Sequence, residues 1–269
     1  MNLISQVLQK KRQNSKCALI PFVTVGYPSI ELTTDIICML DQKGVDIIEL
    51  GIPYSDALAD GPLIQNASKL ALDHGIYIDQ VLDLLSTIES KIDTPIIIFT
   101  YYNPILVRGL SRFIREISQL GVKGLIIPDL PIEETDYVMY LCDDYKIELI
   151  LFISPTSSKD RISYILSKAP GCVYLVSSTG VTGIRESINS QISFLYNNVN
   201  FKNDKLVMLG FGISSPAQVS NILRSRLNIH GIVVGSAFTK ILSNYCHNNS
   251  FEIIEELGSF CEKMKLAMI

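Results

Sequence analysis

Long apolar runs rich in β-branched residues alternate along the chain with segments whose apolar residues recur every three or four positions. The runs are continuous, a pattern typical of parallel strands that are covered on both faces. The intervening segments have the spacing of amphipathic helices. The strand-like runs are Ala18–Val25, Val45–Gly51, Pro95–Tyr101, Val122–Ile127, Ile147–Ile153, Val173–Ser177, Lys205–Leu209 and Gly231–Val234, and the clearest helical segments are Glu31–Gln42, Arg112–Leu120, Glu133–Tyr145 and Pro216–Arg226.

This alternation predicts an α/β fold, a single (β/α)8 TIM barrel that occupies residues 1–269 as one domain. The length of 269 residues fits, because such barrels commonly run to about 250 residues. A doubly wound open sheet is the rival interpretation. It should carry a GxGxxG turn after its first strand, and the segment Val23–Pro28 has none.

Both ends of the chain predict helices added to the barrel. The first thirty residues contain no acid, as in a transit peptide, but the first strand begins by Cys17 and leaves little room for a removable leader. Leu3, Ile4, Val7 and Leu8 have helical spacing, so residues 1–16 are interpreted as a helix packed on the barrel. Two helical stretches around residues 244–250 are predicted to close the fold.

Composition excludes several classes of function. A formal net charge of -4 argues against nucleic acid as the main partner. No apolar run approaches the roughly 20 residues that span a bilayer, so no membrane association is predicted. The six cysteines include no CxxC pair and the three histidines share no ligand spacing, which indicates buried thiols in a reducing compartment and no metal site.

The abundance of Ile, Asn, Lys, Ser and Tyr is typical of AT-rich coding DNA. It hints at a plastid or another low-GC genome. The corresponding location is the chloroplast stroma if the gene is plastid-encoded and a bacterial cytoplasm otherwise.

Carboxylates cluster where the second strand ends. The apolar residues before Glu49 place its carboxyl at the strand tip, and the loop after Gly51 and Pro53 carries Asp56 and Asp60 back toward the same mouth. Burial raises the pKa of a Glu, and such a group can both donate and accept a proton near neutral pH. A Glu that merely pairs with a neighbouring helix is the structural alternative.

Glycine-rich turns follow the last three strands. The seventh strand ends in Gly210–Ser215, the eighth ends in Gly235–Ala237 at a helix start, and Thr179–Gly183 follows the sixth. Glycines let backbone N–H groups approach an anion, and barrels often bind phosphate at these loops. The sequence therefore predicts a phosphorylated substrate with its reacting end over the second strand.

Cleavage of a carbon–carbon bond in such a substrate needs an electron sink. No predicted strand ends in Lys, since Lys205 begins its strand, and the histidines do not indicate a metal. The substrate would then carry its own sink, as an indole ring does when it is protonated at C3.

Five motifs along essentially the whole chain carry a family resemblance. They are Ala18–Phe22, Glu49–Asp56 continuing to Ala59-Asp60-Gly-Pro, Pro128–Pro131, Tyr174 with Gly180–Gly183, and Gly210–Pro216. With them the chain resembles the tryptophan synthase alpha chain. The resemblance implies reversible retro-aldol cleavage of indole-3-glycerol phosphate to indole and glyceraldehyde 3-phosphate. It also implies no cofactor or metal in this chain.

The resemblance also assigns roles to residues. Glu49 would be the general acid and base, and Asp60 would stabilise positive charge at the indole N1. The implied substrate-binding residues are Phe22, Phe99, Ile153, Tyr174 and Thr182, and the implied phosphate-binding residues are Gly183, Phe211, Gly212, Gly235 and Ser236. Each aromatic or apolar member could equally be plain core.

A beta chain with pyridoxal phosphate is the partner that the resemblance implies. The assembly would be an alpha2beta2 tetramer in which indole passes to the beta chain for tryptophan synthesis. Asp56, Pro128, Asp129 and Pro131 on the active-site rim would meet it, although ordinary surface turns would look alike. A free-standing indole-releasing lyase and a non-catalytic activator of the beta chain remain alternatives.

Three positions depart from the family pattern. Ala57 replaces a common proline in the Asp60 loop, Tyr27 stands where the family often has Gly-Asp-Pro, and Ser178 replaces an arginine frequent in bacteria. None of them removes a proton-transfer group.

Overall fold

The computed structural model describes residues 2–154, 156–176, 205–210, 212–225, 227–244 and 250–268. Its strands form a closed barrel in which neighbours in sequence are neighbours in space, and all pairs are parallel. The predicted α/β barrel is therefore confirmed. The strands are β1 (Ala18–Thr24), β2 (Ile48–Gly51), β3 (Ile96–Phe99), β4 (Gly124–Ile126), β5 (Glu148–Ile153), β6 (Cys172–Val176), β7 (Leu206–Gly210) and β8 (Gly231–Val234).

Helices surround the barrel in the described part of the chain. They are α1 (Leu3–Gln13), α2 (Ile30–Gln42), α3 (Pro62–Asp73), α4 (Ile78–Ile88), α5 (Tyr102–Arg108), α6 (Leu110–Gln119), α7 (Thr135–Asp144), α8 (Lys159–Lys168), α9 (Pro216–Arg224), α10 (Ser236–Ser243) and α11 (Ser250–Leu266), with a 3-10 turn at Ile132–Glu134. Helices α10 and α11 confirm the two closing stretches predicted from sequence.

Several strands are shorter than the apolar runs that predicted them. The run from Val45 yields a strand only from Ile48, and the run from Val122 yields only Gly124–Ile126. Val45 and Val122 are nevertheless 5% and 1% exposed. Their apolar character therefore reflects packing against helices rather than pairing in the sheet, which apolar runs cannot distinguish.

Helix α1 covers the amino-terminal end of the barrel, as predicted for residues 1–16. Ile4 and Leu8 are fully buried and belong to the same apolar cluster as the inward-facing Ala18 and Ile20 of β1. A second, larger cluster fills the space between the strands and the outer helices. The barrel interior is thus a packed core, and a cavity opens at its carboxyl-terminal end.

Four cysteines, Cys17, Cys142, Cys172 and Cys261, are buried free thiols, whereas Cys38 is partly exposed. Cys246 lies outside the described residues. Within the described ranges, no helix is both long enough and apolar enough to cross a bilayer.

Candidate active site

Glu49 projects from β2 into the carboxyl-terminal mouth of the barrel. The sheet register places it beside Phe22 of β1 and Ile97 of β3, both of which belong to the inner cluster. Its side chain is 1% exposed. Gly51 makes room for the Phe22 ring, because a Cβ at that position would lie 2.6 Å from Phe22 Cζ.

The carboxyl of Glu49 has an environment that favours its neutral form. Burial raises its pKa to about 8, and the nearby charge of Asp60 contributes in the same direction. Its Oε2 atom has no hydrogen-bond partner among the described residues. Glu49 therefore keeps its proton at neutral pH and can deliver it within the cavity.

Asp60 lies on the loop between β2 and α3 and is 7% exposed. The Tyr101 hydroxyl donates a hydrogen bond of 2.9 Å to Asp60 Oδ2, and the same hydroxyl accepts one of 3.0 Å from the Ala59 N–H. Gln65 Nε2 donates to the carbonyls of Ala57 (3.1 Å) and Asp60 (3.0 Å), which fixes the loop. Tyr101 thus holds the carboxylate of Asp60, while Gln65 holds the backbone of the loop that carries it.

Two opposing effects set the pKa of Asp60. Burial raises it to about 6, while the hydrogen bond from Tyr101 acts to lower it. At neutral pH Asp60 is mostly ionised and Glu49 is mostly protonated. The environment has moved the pKa values of the two carboxyl groups apart, so that one is an acid and the other a base at neutral pH.

Tyr101 is a functional candidate that sequence reasoning missed. The apolar run predicted it as the end of the third strand, whereas the strand ends at Phe99 and Tyr101 precedes helix α5. A hydroxyl-bearing aromatic at a strand end, on the same rim as two carboxylates, is the signal that could have identified it.

Tyr174 of β6 faces the same cavity and is 3% exposed. Burial, with the charges of Glu49 and Asp60, raises its pKa well above the ordinary value, so its hydroxyl stays protonated. Gly210 on β7 admits it, since a Cβ there would stand 1.9 Å from Tyr174 Oη. Any side chain at residue 210 would therefore displace Tyr174.

These residues surround a cavity with about 370 Å³ of space between atoms, including its open mouth. It brings together eight residues predicted from sequence, namely Phe22, Glu49, Asp60, Phe99, Tyr174, Gly212, Gly235 and Ser236. Three apolar lining residues were not predicted: Ile64, Ile213 and Val233.

The glycines lie at the end of the cavity formed by β7 and β8. Gly212 has a φ of +75°, a conformation that favours glycine, and Gly235 immediately precedes helix α10. A Cβ on Gly235 would come within 3.1 Å of Phe22 Cδ1. A helix start beside glycine backbone is a favourable place for a phosphate.

Other predicted site residues lie elsewhere. Ile153 belongs to the cluster between strands and helices and is not among the described residues that line the cavity. Side chains alternate along a strand, so its neighbour Phe152 faces inward instead, with its ring centroid 4.8 Å from that of Tyr174. Thr182, Gly183 and Phe211 lie outside the described residues, as does the turn at 179–183.

The predicted partner-contact residues stand on the rim of this cavity. Asp56, Asp129 and Pro131 are exposed, Pro128 is half-buried, and Leu58 in the Asp60 loop is 88% exposed. Asp129 Oδ1 accepts a 2.9 Å hydrogen bond from the N–H of Tyr102 at the start of α5. Among the described residues, no group of three or more His, Cys, Asp or Glu side chains could hold a metal ion.

Comparison with known proteins places this chain in a family. The family model described as tryptophan synthase alpha chain matches residues 8–268. A relative of that name from Gracilaria tenuistipitata var. liui is 55% identical over 268 residues, which cover 100% of this chain and 97% of the relative. One from Synechocystis sp. is 42% identical over 268 residues, with 100% of both chains covered.

A solved structure of Mycobacterium tuberculosis tryptophan synthase is similar with a TM-score of 0.87 and 28% identity, covering 99% of this chain and 98% of that one. The match of family model, sequence and fold extends over nearly the whole chain. This chain therefore belongs to the tryptophan synthase alpha chain family.

Proposed function

We propose that Glu49 and Asp60 are the residues with which this chain carries out the activity of its family, the cleavage of indole-3-glycerol phosphate to indole and glyceraldehyde 3-phosphate. One observation supports this assignment most. Two buried carboxyl groups with pKa values of about 8 and about 6 share an apolar cavity with the glycine loops of β7 and β8. The cavity combines an acid, a base and an anion-binding end.

Glu49 supplies and recovers the proton of the reaction. In its neutral form it protonates C3 of the indole ring, which turns N1 into an iminium-like electron acceptor. The resulting carboxylate then accepts the proton of the side-chain hydroxyl next to C3. As that hydroxyl carbon becomes the aldehyde, the carbon–carbon bond breaks and its electron pair returns to the ring. Glu49 ends in its starting form.

Asp60 stabilises the positive charge that develops at N1. It is mostly ionised at neutral pH, and the Tyr101 hydroxyl holds it at 2.9 Å. A fixed carboxylate in a largely dry cavity interacts with that charge more strongly than water would. Its role is electrostatic, whereas that of Glu49 is proton transfer.

The remaining cavity residues bind and orient the substrate. Phe22 and Phe99 pack edge-to-face with ring centroids 5.7 Å apart and form apolar walls for the indole. The neutral Tyr174 hydroxyl orients the substrate or Glu49. Gly212, Gly235 and Ser236 receive the phosphate, and Thr182, Gly183 and Phe211 complete the proposed set.

The family name itself implies a second chain, and we assign it to the rim. The proposed partner is a beta chain that carries pyridoxal phosphate and converts indole to tryptophan, in an alpha2beta2 tetramer. Asp56, Pro128, Asp129 and Pro131 would contact it, and the 88% exposure of Leu58 supports an interface there. Red algal and cyanobacterial relatives favour a plastid stroma or a bacterial cytoplasm as the location.

The decisive experiment supplies indole-3-glycerol phosphate to the purified chain, alone and with a beta chain, and measures indole release. We expect slow release alone and faster release in the complex. A full rate that no beta chain increases would identify a free-standing lyase. Absence of indole under both conditions, with beta-chain activity stimulated, would identify a non-catalytic activator and contradict the proposal.

A further inference from the structure

A second pocket lies at the amino-terminal end of the barrel, opposite the catalytic cavity. It opens between the end of α1, the start of β1, the end of α9 and the segment before β8, and it holds about 1390 Å³ of space between atoms, including its open mouth. The active sites of TIM barrels lie at the carboxyl-terminal end, and the proposed reaction does not use this pocket.

The charge of the pocket has one sign. Arg12, Lys16 and Arg224 line it, and no Asp or Glu is among the described residues of its lining. Within the described ranges none of the three forms an ion pair, although other cations of the chain do, as Lys11 does with Asp46 at 2.6 Å. Three unneutralised cations around one concave surface create a local positive potential that attracts anions.

Helix dipoles explain part of this arrangement. Arg12 and Arg224 each stand in the last turn of a helix, where a cation is favourable on its own account. Lys16 is not in a helix, and this explanation does not extend to it. It also gives no reason for the buried histidine in the pocket lining, His230.

His230 lies in the wall of the pocket and is 1% exposed. Its Nδ1 accepts a 2.9 Å hydrogen bond from the Val207 N–H, so a neutral ring carries its proton on Nε2. Burial first and then the charge of Arg12 lower its pKa to about 4, which keeps the ring neutral at pH 7. Nε2 has no partner among the described residues.

A buried donor without an acceptor costs free energy, and the described residues beside the three cations provide no acceptor for this one. A phosphate group fits, since it offers several acceptor oxygens and a charge that arginine and lysine both bind. We propose that the pocket lined by Arg12, Lys16, Arg224 and His230 binds a small phosphorylated anion. This site is separate from the phosphate loops of β7 and β8.

A titration with inorganic phosphate tests the site. The full chain is labelled with 15N-histidine and the Nε2 signal of His230 is followed at pH 7 and constant ionic strength, with chloride as the balancing anion. We expect a saturable change in that signal. In the double variant Arg12→Gln/Arg224→Gln, both exposed positions, the midpoint should rise at least tenfold, since two charge-assisted contacts are lost.

Arg115→Gln is the matched control, because Arg115 is an exposed arginine on α6 outside the pocket. It should leave the midpoint unchanged. No saturable change, an equal response to chloride, or an equal midpoint in the double variant would overturn the proposal. Vesicles containing phosphatidic acid form a separate arm: cosedimentation that depends on Arg12 and Arg224, without a response to free phosphate, would replace the small anion by a membrane and contradict it.

The double variant and the Arg115→Gln control should both retain indole release, because none of the three arginines lines the catalytic cavity. Loss of phosphate binding with normal turnover would therefore concern this pocket alone. Absence of turnover in the unmodified chain would concern the proposed reaction and leave the titration interpretable.

Discussion

Two buried glutamates on strands of one barrel have opposite surroundings. Glu148, the first residue of β5, is 0% exposed at the amino-terminal end and accepts hydrogen bonds from Ser5 N–H (3.1 Å), Ser5 Oγ (2.5 Å) and Cys172 N–H (2.8 Å). Glu49 on β2 is 1% exposed at the other end, and its Oε2 has no partner within the described ranges. Residue type and burial are the same, so only the partners distinguish them.

The difference shows two ways in which the fold accommodates a buried carboxyl group, whose charge costs free energy when it is removed from water. A buried carboxylate is tolerated when donors surround it, and otherwise it keeps its proton. Glu148 has donors and joins α1 to the barrel, whereas Glu49 Oε2 has no donor among the described residues and burial raises the pKa of the Glu49 carboxyl to about 8. Stability and chemistry thus occupy opposite ends of the same barrel, as is general for this fold.

The largest expected effect separates the two glutamates by activity. Glu49→Gln should lower the rate of indole release on the order of 10³-fold, because the amide can neither donate to C3 nor accept the hydroxyl proton. Single-turnover indole release from indole-3-glycerol phosphate measures it. Glu148→Gln is the matched control and should stay within about threefold of the unmodified rate. Comparable losses in both variants would mean that burial, not proton transfer, accounts for the defect.

Asp60→Asn should lower kcat on the order of 10²-fold, since it removes the negative charge near N1 while keeping a group that can contact Tyr101. The same assay measures it, and circular dichroism checks the fold. If the rate were unaffected, N1 would need no carboxylate. The separate roles proposed for Glu49, proton transfer, and Asp60, charge stabilisation, would then no longer hold.

The barrel can be predicted from sequence because continuous apolar runs identify parallel strands that are covered on both faces. The position of Glu49 at a strand end follows from the same local pattern, without long-range information. The glycine turns at 212 and 235 are local signals as well, and the structure brings them to the same cavity as Glu49. What was missed depends on three-dimensional neighbours.

Ile153 and Tyr101 illustrate that limit. Which of two adjacent apolar residues faces the cavity depends on strand phase, and a fully apolar run such as that of β5 carries no phase signal. Tyr101 donates its hydrogen bond to Asp60, a residue 41 positions away in the chain. The three donors around Glu148 come from α1 and β6, so its satisfied state was equally invisible in the sequence.

Stability should change with opposite signs at the two positions. The folded-state pKa of Glu49, about 8, lies above its ordinary value of 4.5, so the folded protein binds more protons in that window. The free energy of unfolding therefore falls as pH rises from about 4.5 to about 8. Glu49→Gln should remove this pH-dependent loss. Its free energy of unfolding should exceed that of the unmodified protein by on the order of 2 kcal/mol at pH 8 and by little at pH 4.5.

Glu148→Gln should instead lower the free energy of unfolding by on the order of 2 kcal/mol. One acceptor oxygen becomes an amide nitrogen, which would then face a backbone or hydroxyl donor. Denaturant midpoints at pH 5 and pH 8 for both variants provide the test. A higher free energy of unfolding in both variants would indicate that the hydrogen bonds to Glu148 stabilise its carboxyl group no better than the surroundings of Glu49 do.

The smallest expected effect concerns the pH dependence of the site. For the unmodified enzyme kcat/KM should be bell-shaped: it falls below about pH 6 as Asp60 is protonated and above about pH 8 as Glu49 loses its proton. Tyr101→Phe removes the hydrogen bond that lowers the pKa of Asp60, so the acid limb should move to higher pH while the basic limb stays in place. A shift of the basic limb alone would mean that Tyr101 acts on Glu49, and an unchanged profile with lower activity would reduce Tyr101 to packing.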